Sequence, residues 1–407
     1  MSKFKQFLTS TLALVSIELP IKATLFLTTI LLIRLIPPIQ YGQYTSLLAL
    51  ATLIISLGGG IQVVMIRRCA VQQSFDLQWG YILLSLKFQC FILMLAAIIG
   101  FFFIKDVFSW AGLILYCIGV SGFTILCVGH QAIKRLRTYA FIGIARNLLV
   151  ILIIIMLSNF VVLRAVNIFY IIGLISIGFL VVFLSMYSSK VQKELNIELL
   201  PIIKENISLI VYYAFIGAYT QVDIALVSYF LPSEQVAIYG VGLRYYFVSL
   251  LLLPPIVNAI RIHTSMDGFE GNAKKQLDFL NNWFRHAIPA IVLFGIVSFY
   301  LSPLVLGFLN GPEYSESIRV FRYMLIGSMA MYIFCPIVSL LITNNRYSAL
   351  ILLAILSTLF KSLSFWFYLS FSTDLAFVGL VFSISIIFYN LFSFCQYRYF
   401  LAKESFV

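Results

Sequence analysis

The sequence predicts an all-α polytopic membrane protein of about 12 transmembrane helices, arranged as two parallel-repeat six-helix bundles around a central cavity. Three observations carry that prediction. The chain is 62% hydrophobic and 10% charged, with a mean hydropathy of +1.04, whereas a soluble domain is about 45–50% apolar and about 25% charged. Its apolar runs are continuous and about 20 residues long, the length a helix needs to cross hydrocarbon, and they lack the alternating polarity of a membrane barrel. A turn near the N-terminus also recurs in the second half: Leu35 to Tyr44 aligns without a gap on Phe230 to Tyr239, matching Pro37 with Pro232, Gln40 with Gln235 and Tyr44 with Tyr239.

That repeat is offset by 195 of the 407 residues. Six spans precede the midpoint, at residues 13–36, 44–65, 79–103, 108–129, 139–157 and 167–186. Six follow it, at 207–230, 239–260, 287–309, 320–342, 348–371 and 376–397. An even number per half makes the repeats parallel, related by an axis along the membrane normal. The expected organisation is therefore an N-terminal bundle at 1–190, a polar linker at 191–206 facing the cytoplasm and a C-terminal bundle at 207–407.

Lys3 and Lys5 precede a first apolar run that continues to Ile36 without a convincing cleavage site, so an uncleaved span is expected rather than a signal peptide. Of the 27 Lys and Arg residues, seven lie inside apolar spans. Only Lys105, Arg164 and Arg319 fall in one set of loops, and the remaining seventeen fall in the other set and at the termini. Basic residues collect on the cytoplasmic side, so both termini are expected there. In the longest loop, 263–286, the spacing of Leu277, Leu280 and Phe284 predicts an amphipathic helix over 272–284. Two placements stay open for it: the headgroup layer, or packing on a neighbouring loop.

The charges inside the spans carry the functional expectation. Arg34, Arg244 and Arg322 sit near span ends and can reach the headgroups. Lys22, Lys87, Arg146 and Lys361 lie deeper, where a base facing lipid costs about 2.5–3.5 kcal/mol or more. Four such residues imply a hydrated interior. The deep acids are Glu18 and Asp223. Glu18 and Lys22 are four apart, a spacing that suits an ion pair, so they either neutralise one another or serve transport. The interior stays net positive on either reading and suits an anionic cargo, with arginine matched to diphosphate by its two-pronged fork. Asn147 beside Arg146 and Gln89 near Lys87 either join helices or line an aqueous route.

Prolines inside the spans, Pro20, Pro254, Pro255, Pro289, Pro303 and Pro336, create bends that are either fixed or able to rock. The Gly58-Gly59-Gly60 run is explained by close helix packing. His130, His263 and His286 fall at span ends or in loops, and the six scattered cysteines have no metal-type spacing. No nucleotide-binding loop, metal cluster or activated nucleophile is legible. The chain is therefore expected to be neither an enzyme nor dependent on a cofactor.

Four stretches resemble the oligosaccharide-repeat-unit flippases, the O-antigen and polysaccharide translocases of the multidrug/oligosaccharidyl-lipid/polysaccharide exporter superfamily. The first is Pro38-Ile39-Gln40-Tyr41-Gly42-Gln43-Tyr44 leading through Leu57-Gly58-Gly59-Gly60 to Arg67. The second is Asp223 followed by Phe230-Leu231-Pro232 and Ile238-Tyr239-Gly240. The third joins Leu309-Asn310-Gly311-Pro312-Glu313-Tyr314 to the run from Arg319 to Leu325, and the fourth is Asp374 to Leu380.

The resemblance implies flipping of an undecaprenyl-diphosphate-linked oligosaccharide from the cytoplasmic to the periplasmic leaflet of a bacterial inner membrane, by alternating access coupled to an ion gradient. It implies membrane lipids and other polysaccharide-assembly proteins as partners, and no nucleic acid. Asp223 matches the family's acid in the seventh span and Arg146 a base in the fifth; Lys87 and Lys361 have no placed equivalent. The expected cargo-binding residues are thus Arg146, Lys87, Lys361 and Lys22, with Asp223 and Glu18 as ion-coupling groups. A cation-coupled multidrug exporter of the same fold is the alternative. A membrane polysaccharide polymerase or ligase is disfavoured, because no long extracytoplasmic loop is present.

Overall fold

The computed structural model of the chain describes residues 3–72, 75–103, 106–133, 135–188, 199–266 and 272–404. Fourteen α-helices and one 3-10 turn make up these residues, with no strand among them. In order they are α1 (Lys3–Leu35), α2 (Pro38–Ser56), α3 (Gly59–Gln72), α4 (Phe75–Phe103), α5 (Val107–Ala132), α6 (Leu136–Ser158) and α7 (Ala165–Ser188). The series continues with α8 (Leu199–Phe230), α9 (Ser233–Ser249), α10 (Leu253–Met266), α11 (Ala273–Asn310), α12 (Ser317–Thr343), α13 (Tyr347–Phe371) and α14 (Leu375–Glu404). Among the described residues ten helical stretches are long and apolar enough to cross a membrane, or eleven if α2 and α3, bent by 48°, count as one. Each of the twelve expected spans lies on one helix or on a broken pair, α2/α3 for the second and α9/α10 for the eighth.

The internal repeat extends to these breaks. α2 ends at Ser56 and α3 resumes at Gly59; α9 ends at Ser249 and α10 resumes at Leu253. Both α2 and α9 start directly after the repeated proline, Pro37 or Pro232, each extended at ψ 150 and 157. Proline suits such a start, because its missing N–H is one the first turn would leave unbonded.

The chain forms two compact units, one of residues 20–221 and one of residues 1–19 with 222–407. Their boundaries fall inside α1 and α8. Of the expected linker, residues 199–206 open α8 and 191–198 lie outside the described residues. α8 kinks at Asn206 (φ −119, ψ 16), whose side-chain amide donates to the Ile202 carbonyl at 3.0 Å. Such a side-chain bond to the preceding turn accompanies bends in helices.

In the unit of residues 20–221, α5 and α7 approach closely through glycines. A Cβ on Gly119 would stand 2.3 Å from the Gly173 carbonyl oxygen, so only glycine admits this packing. Gly60 plays the same part against α8, where a Cβ would meet Ile210 Cα at 2.5 Å. In the other unit Gly379 admits the Val320 carbonyl of α12, and the Ser383 hydroxyl of α14 accepts from the Gly327 N–H at 3.0 Å.

The helix expected over 272–284 is not a separate one: its residues open α11 and run on without a break into the apolar stretch that follows. Its buried Gln276 exchanges amide hydrogen bonds with Asn344 (3.1 and 3.2 Å) and accepts from the Tyr397 hydroxyl at 2.7 Å. Trp283 donates to the Ile333 carbonyl at 3.0 Å, and Leu280 is buried. Of the two placements left open, the structure takes packing, here onto α12 and α14 of its own unit.

Arg322 on α12 turns toward α11 rather than reaching for headgroups. Its Nε donates to the Phe299 carbonyl (3.2 Å) and to Ser302 Oγ (3.1 Å), and its guanidinium lies 4.3 Å from the Phe299 ring centroid. Pro303 removes the N–H that would otherwise bond that carbonyl, four residues back. The Ser302 hydroxyl also donates to that carbonyl, at 2.8 Å, so Arg322→Met is expected to cost about 0.5–1.5 kcal/mol, the net worth of one hydrogen bond. In a Pro303→Ala background the loss should shrink, because the alanine N–H restores the helical bond. Thermal unfolding of the four variants checks this, and equal losses in both backgrounds would refute it.

Candidate functional site

Among the described residues each unit buries one lysine or arginine deep in its helices, and the two differ in what answers the charge. In the unit of residues 20–221 the base is Arg146 on α6, 9% exposed. Its Nε and Nη2 donate to Ser176 Oγ of α7 at 3.0 and 2.9 Å, and Nη1 donates to the Asn147 side-chain carbonyl at 3.1 Å. Asn147 in turn donates to the Ile21 carbonyl (3.3 Å) and to Thr24 Oγ1 (3.1 Å) of α1. The guanidinium also lies 5.2 Å from the centroid of the Phe123 ring, an attraction of ring quadrupole to cation. Gly143, one turn earlier on α6, brings the helix against Ile21, where a Cβ would stand 3.2 Å from the nearest side-chain atom.

Every group that answers Arg146 is neutral: a hydroxyl, an amide and an aromatic face. It forms no ion pair with a described carboxylate. Hydroxyl and amide dipoles meet the guanidinium's donors but leave its net charge uncompensated in a low-dielectric setting, where charge is costly to keep. This geometry suits a site that an anion completes.

In the other unit the base is Lys361 on α13, and an acid meets it directly. Lys361 Nζ lies 2.7 Å from Asp223 Oδ1 of α8, with the two side chains 1% and 0% exposed. The second carboxylate oxygen accepts from the Tyr239 hydroxyl of α9 at 2.6 Å. The ammonium lies 4.7 Å from the Phe382 ring centroid of α14. Four helices thus converge on one buried, charge-neutral cluster. Ser357, one turn before Lys361, is fully buried with its hydroxyl unpartnered.

The offset of the repeated turn places Asp223 on Thr28 of α1. Thr28 is buried, and its hydroxyl donates to the Thr24 carbonyl of its own helix at 3.0 Å. At this offset one half therefore has an acid where the other has a neutral hydroxyl.

The remaining expected residues are not gathered with these. Lys87 is exposed at the middle of α4, and Gln89 is buried on the opposite side of that helix, its amide unpartnered beside Gly58. Lys22 is exposed on α1 and Glu18 half-buried. The expectation that all four bases line one wet chamber fails for Lys361, whose charge is enclosed and paired inside its own unit.

Sequence reasoning missed two participants and one pairing. Tyr239 was visible as the tyrosine repeated from Tyr44, a signal that the position has a shared use. Ser176 stood out only as a hydroxyl in an apolar span. The pairing of Lys361 with Asp223 bridges 138 residues, and nothing local announces it.

No family model matches the sequence, and no curated protein matches it. Solved structures do match along nearly the whole chain. A transporter of the MOP superfamily from Pyrococcus furiosus, for which a reverse polarity of the binding pocket suggests a different function, is 14% identical and covers 97% of both chains with a TM-score of 0.67. A MATE transporter from Vibrio cholerae in its bent form is 12% identical over 100% of this chain and 99% of that one, with a TM-score of 0.66. A multidrug resistance MATE family transporter in an outward-facing conformation is 14% identical over 99% of each chain, with a TM-score of 0.62. The fold is that of the MATE transporters. At these identities the likeness concerns the fold, and a fold does not by itself fix a function.

Proposed function

We propose that this MATE-type chain is a membrane exporter of an anionic, lipid-linked cargo working by alternating access. In its most specific form it is a flippase for undecaprenyl-diphosphate-linked oligosaccharide, moving the unit from the cytoplasmic to the periplasmic leaflet. The observation that carries the proposal is Arg146, a buried guanidinium whose partners are all neutral. A diphosphate oxygen pair would replace Ser176 and Asn147 as acceptors, exchanging neutral hydrogen bonds for charge-assisted ones that are roughly twice as strong.

The Asp223–Lys361–Tyr239 cluster supports the coupling part of the reading. A proton or small cation arriving at Asp223 would compete with Lys361 for the carboxylate and free an ammonium inside the bundle. A group whose partner differs between two states is the differential interaction that a conformational switch requires. Lys87 and Lys22 are left out of the cargo site, because both project from exposed positions.

A cation-coupled multidrug exporter is the second reading, favoured by the MATE structures this chain resembles. The two readings predict opposite phenotypes. Deletion of the gene should remove surface polysaccharide and cause lipid-linked repeat units to build up in the membrane, with drug sensitivity unchanged. Sensitisation to cationic drugs with polysaccharide intact would overturn the flippase reading in favour of the second.

A further inference from the structure

α4 keeps an apolar face turned outward and places polar side chains on its inner one. Gln78, Ser85 and Gln89, spaced seven and four residues apart, share one face and are each 2% exposed. The opposite face carries Leu83, Phe91, Met94 and Ile98, exposed by 38%, 57%, 65% and 58%. The inward face mixes these polar side chains with buried Ile82, Ile92 and Leu93, whereas the outward face is apolar but for Lys87, as on a helix whose outer face meets an apolar medium. The stripe from Leu83 to Ile98 runs about 22 Å at 1.5 Å per residue, most of the thickness of a bilayer core.

Lys87 lies within that stripe, about one turn from its Leu83 end. It is exposed, and among the described residues it makes no ion pair or hydrogen bond. From the middle of a 26-residue span its stem is too short to carry the ammonium to either headgroup layer, so snorkelling does not relieve it. An intramembrane base of this kind is costly unless another group pairs with it. A second copy of this chain is poorly suited to the role. Only Glu18 and Asp223 lie inside apolar spans; Asp223 is enclosed with Lys361, and Glu18 already has contacts of its own.

We propose that the exposed face of α4 docks a transmembrane helix of a different membrane protein, one carrying an aspartate or glutamate at mid-membrane depth that pairs with Lys87. The apolar stripe supplies contact area on both sides of the charge, and the ion pair sets register and partner choice, since a helix without the acid leaves the ammonium unpaired. The inference does not depend on what the protein transports.

The test places a photo-crosslinking amino acid at Phe91 in the full-length protein in its native membrane, with Leu363 on α13 as the exposed control position. A polypeptide adduct at Phe91 and not at Leu363 is expected, its cross-linked peptide mapping to a membrane span that contains an acid. Lys87→Met should reduce that adduct about tenfold or more, as expected when one member of a desolvated charge pair is removed. Lys87→Glu should abolish it, and changing the mapped acid to lysine should restore it in the Lys87→Glu background. Adducts to phospholipid only, to a second copy of this chain, or to a span without an acid would overturn the proposal, as would an adduct indifferent to Lys87→Met. The purified protein alone in nanodiscs supplies an independent measurement. Lys87→Met should melt at an equal or higher temperature than the parent, and a lower one would assign Lys87 to the protein's own fold and sink the inference.

Discussion

Lys361→Met is expected to destabilise the protein by about 3–5 kcal/mol, the usual cost of removing one partner of a buried ion pair. The methionine fills similar volume, so the loss comes from Asp223, left ionised or forced to take a proton where it is 0% exposed. Asp223→Asn should be costly for the mirror reason, stranding the ammonium of Lys361. The double variant Asp223→Asn/Lys361→Met should recover most of the loss, because no unpaired charge remains. Tyr239→Phe removes a hydrogen bond to a charged acceptor, expected at about 1.5–3 kcal/mol. Thermal unfolding of the purified variants in one detergent closes the cycle. Additive losses in the double variant would mean that the two charges are not coupled, and the cluster would lose its place in the mechanism. If the pair serves coupling, the double variant should be well folded and still fail in transport.

Arg146→Met should behave in the opposite way. Removing an uncompensated buried cation relieves its desolvation but leaves the Asn147 carbonyl without a donor, a cost of about 1–3 kcal/mol. Ser176 keeps its bond to the Ile172 carbonyl at 2.6 Å. These effects nearly cancel, so folding stability is expected to change little while export of the anionic cargo is lost. Arg146→Lys should restore charge but not the two-pronged geometry, giving partial export. The measurement pairs unfolding temperature with surface polysaccharide at matched protein levels. A large drop in stability with Arg146→Met would make the residue a helix clip between α6, α7 and α1. Normal polysaccharide with the methionine in place would end its assignment as a cargo residue. The contrast in sign between the two substitutions separates a charge kept for the fold from one kept for a ligand.

The parts of the fold legible in the sequence were those that depend on nearby residues. Twenty-residue apolar runs force helices, because a backbone in hydrocarbon must bond within itself. The Pro37 and Pro232 turns could be matched because proline restricts its neighbours whatever lies around it. The breaks at Leu57–Gly58 and Leu250–Leu252 were not anticipated, although the glycine run and the Pro254-Pro255 pair lay at them. The amphipathic start of α11 was seen, but its placement was decided by Gln276 meeting Asn344 and Tyr397, partners 68 and 121 residues away.

The bases at 22, 87, 146 and 361 were equally conspicuous as letters, since each interrupts an apolar run. Composition and spacing thus determined that the chain crosses a membrane many times, is built on a duplicated plan and keeps charge within its spans. Tertiary structure alone decided what each charge meets. Among the described residues Lys361 is answered by Asp223, Arg146 by neutral dipoles, and Lys87 by no ion pair or hydrogen bond. The reason is physical: hydrophobicity is a property of a segment and survives any arrangement of its neighbours, whereas the cost of a charge depends on atoms within a few ångströms, supplied by helices remote in sequence.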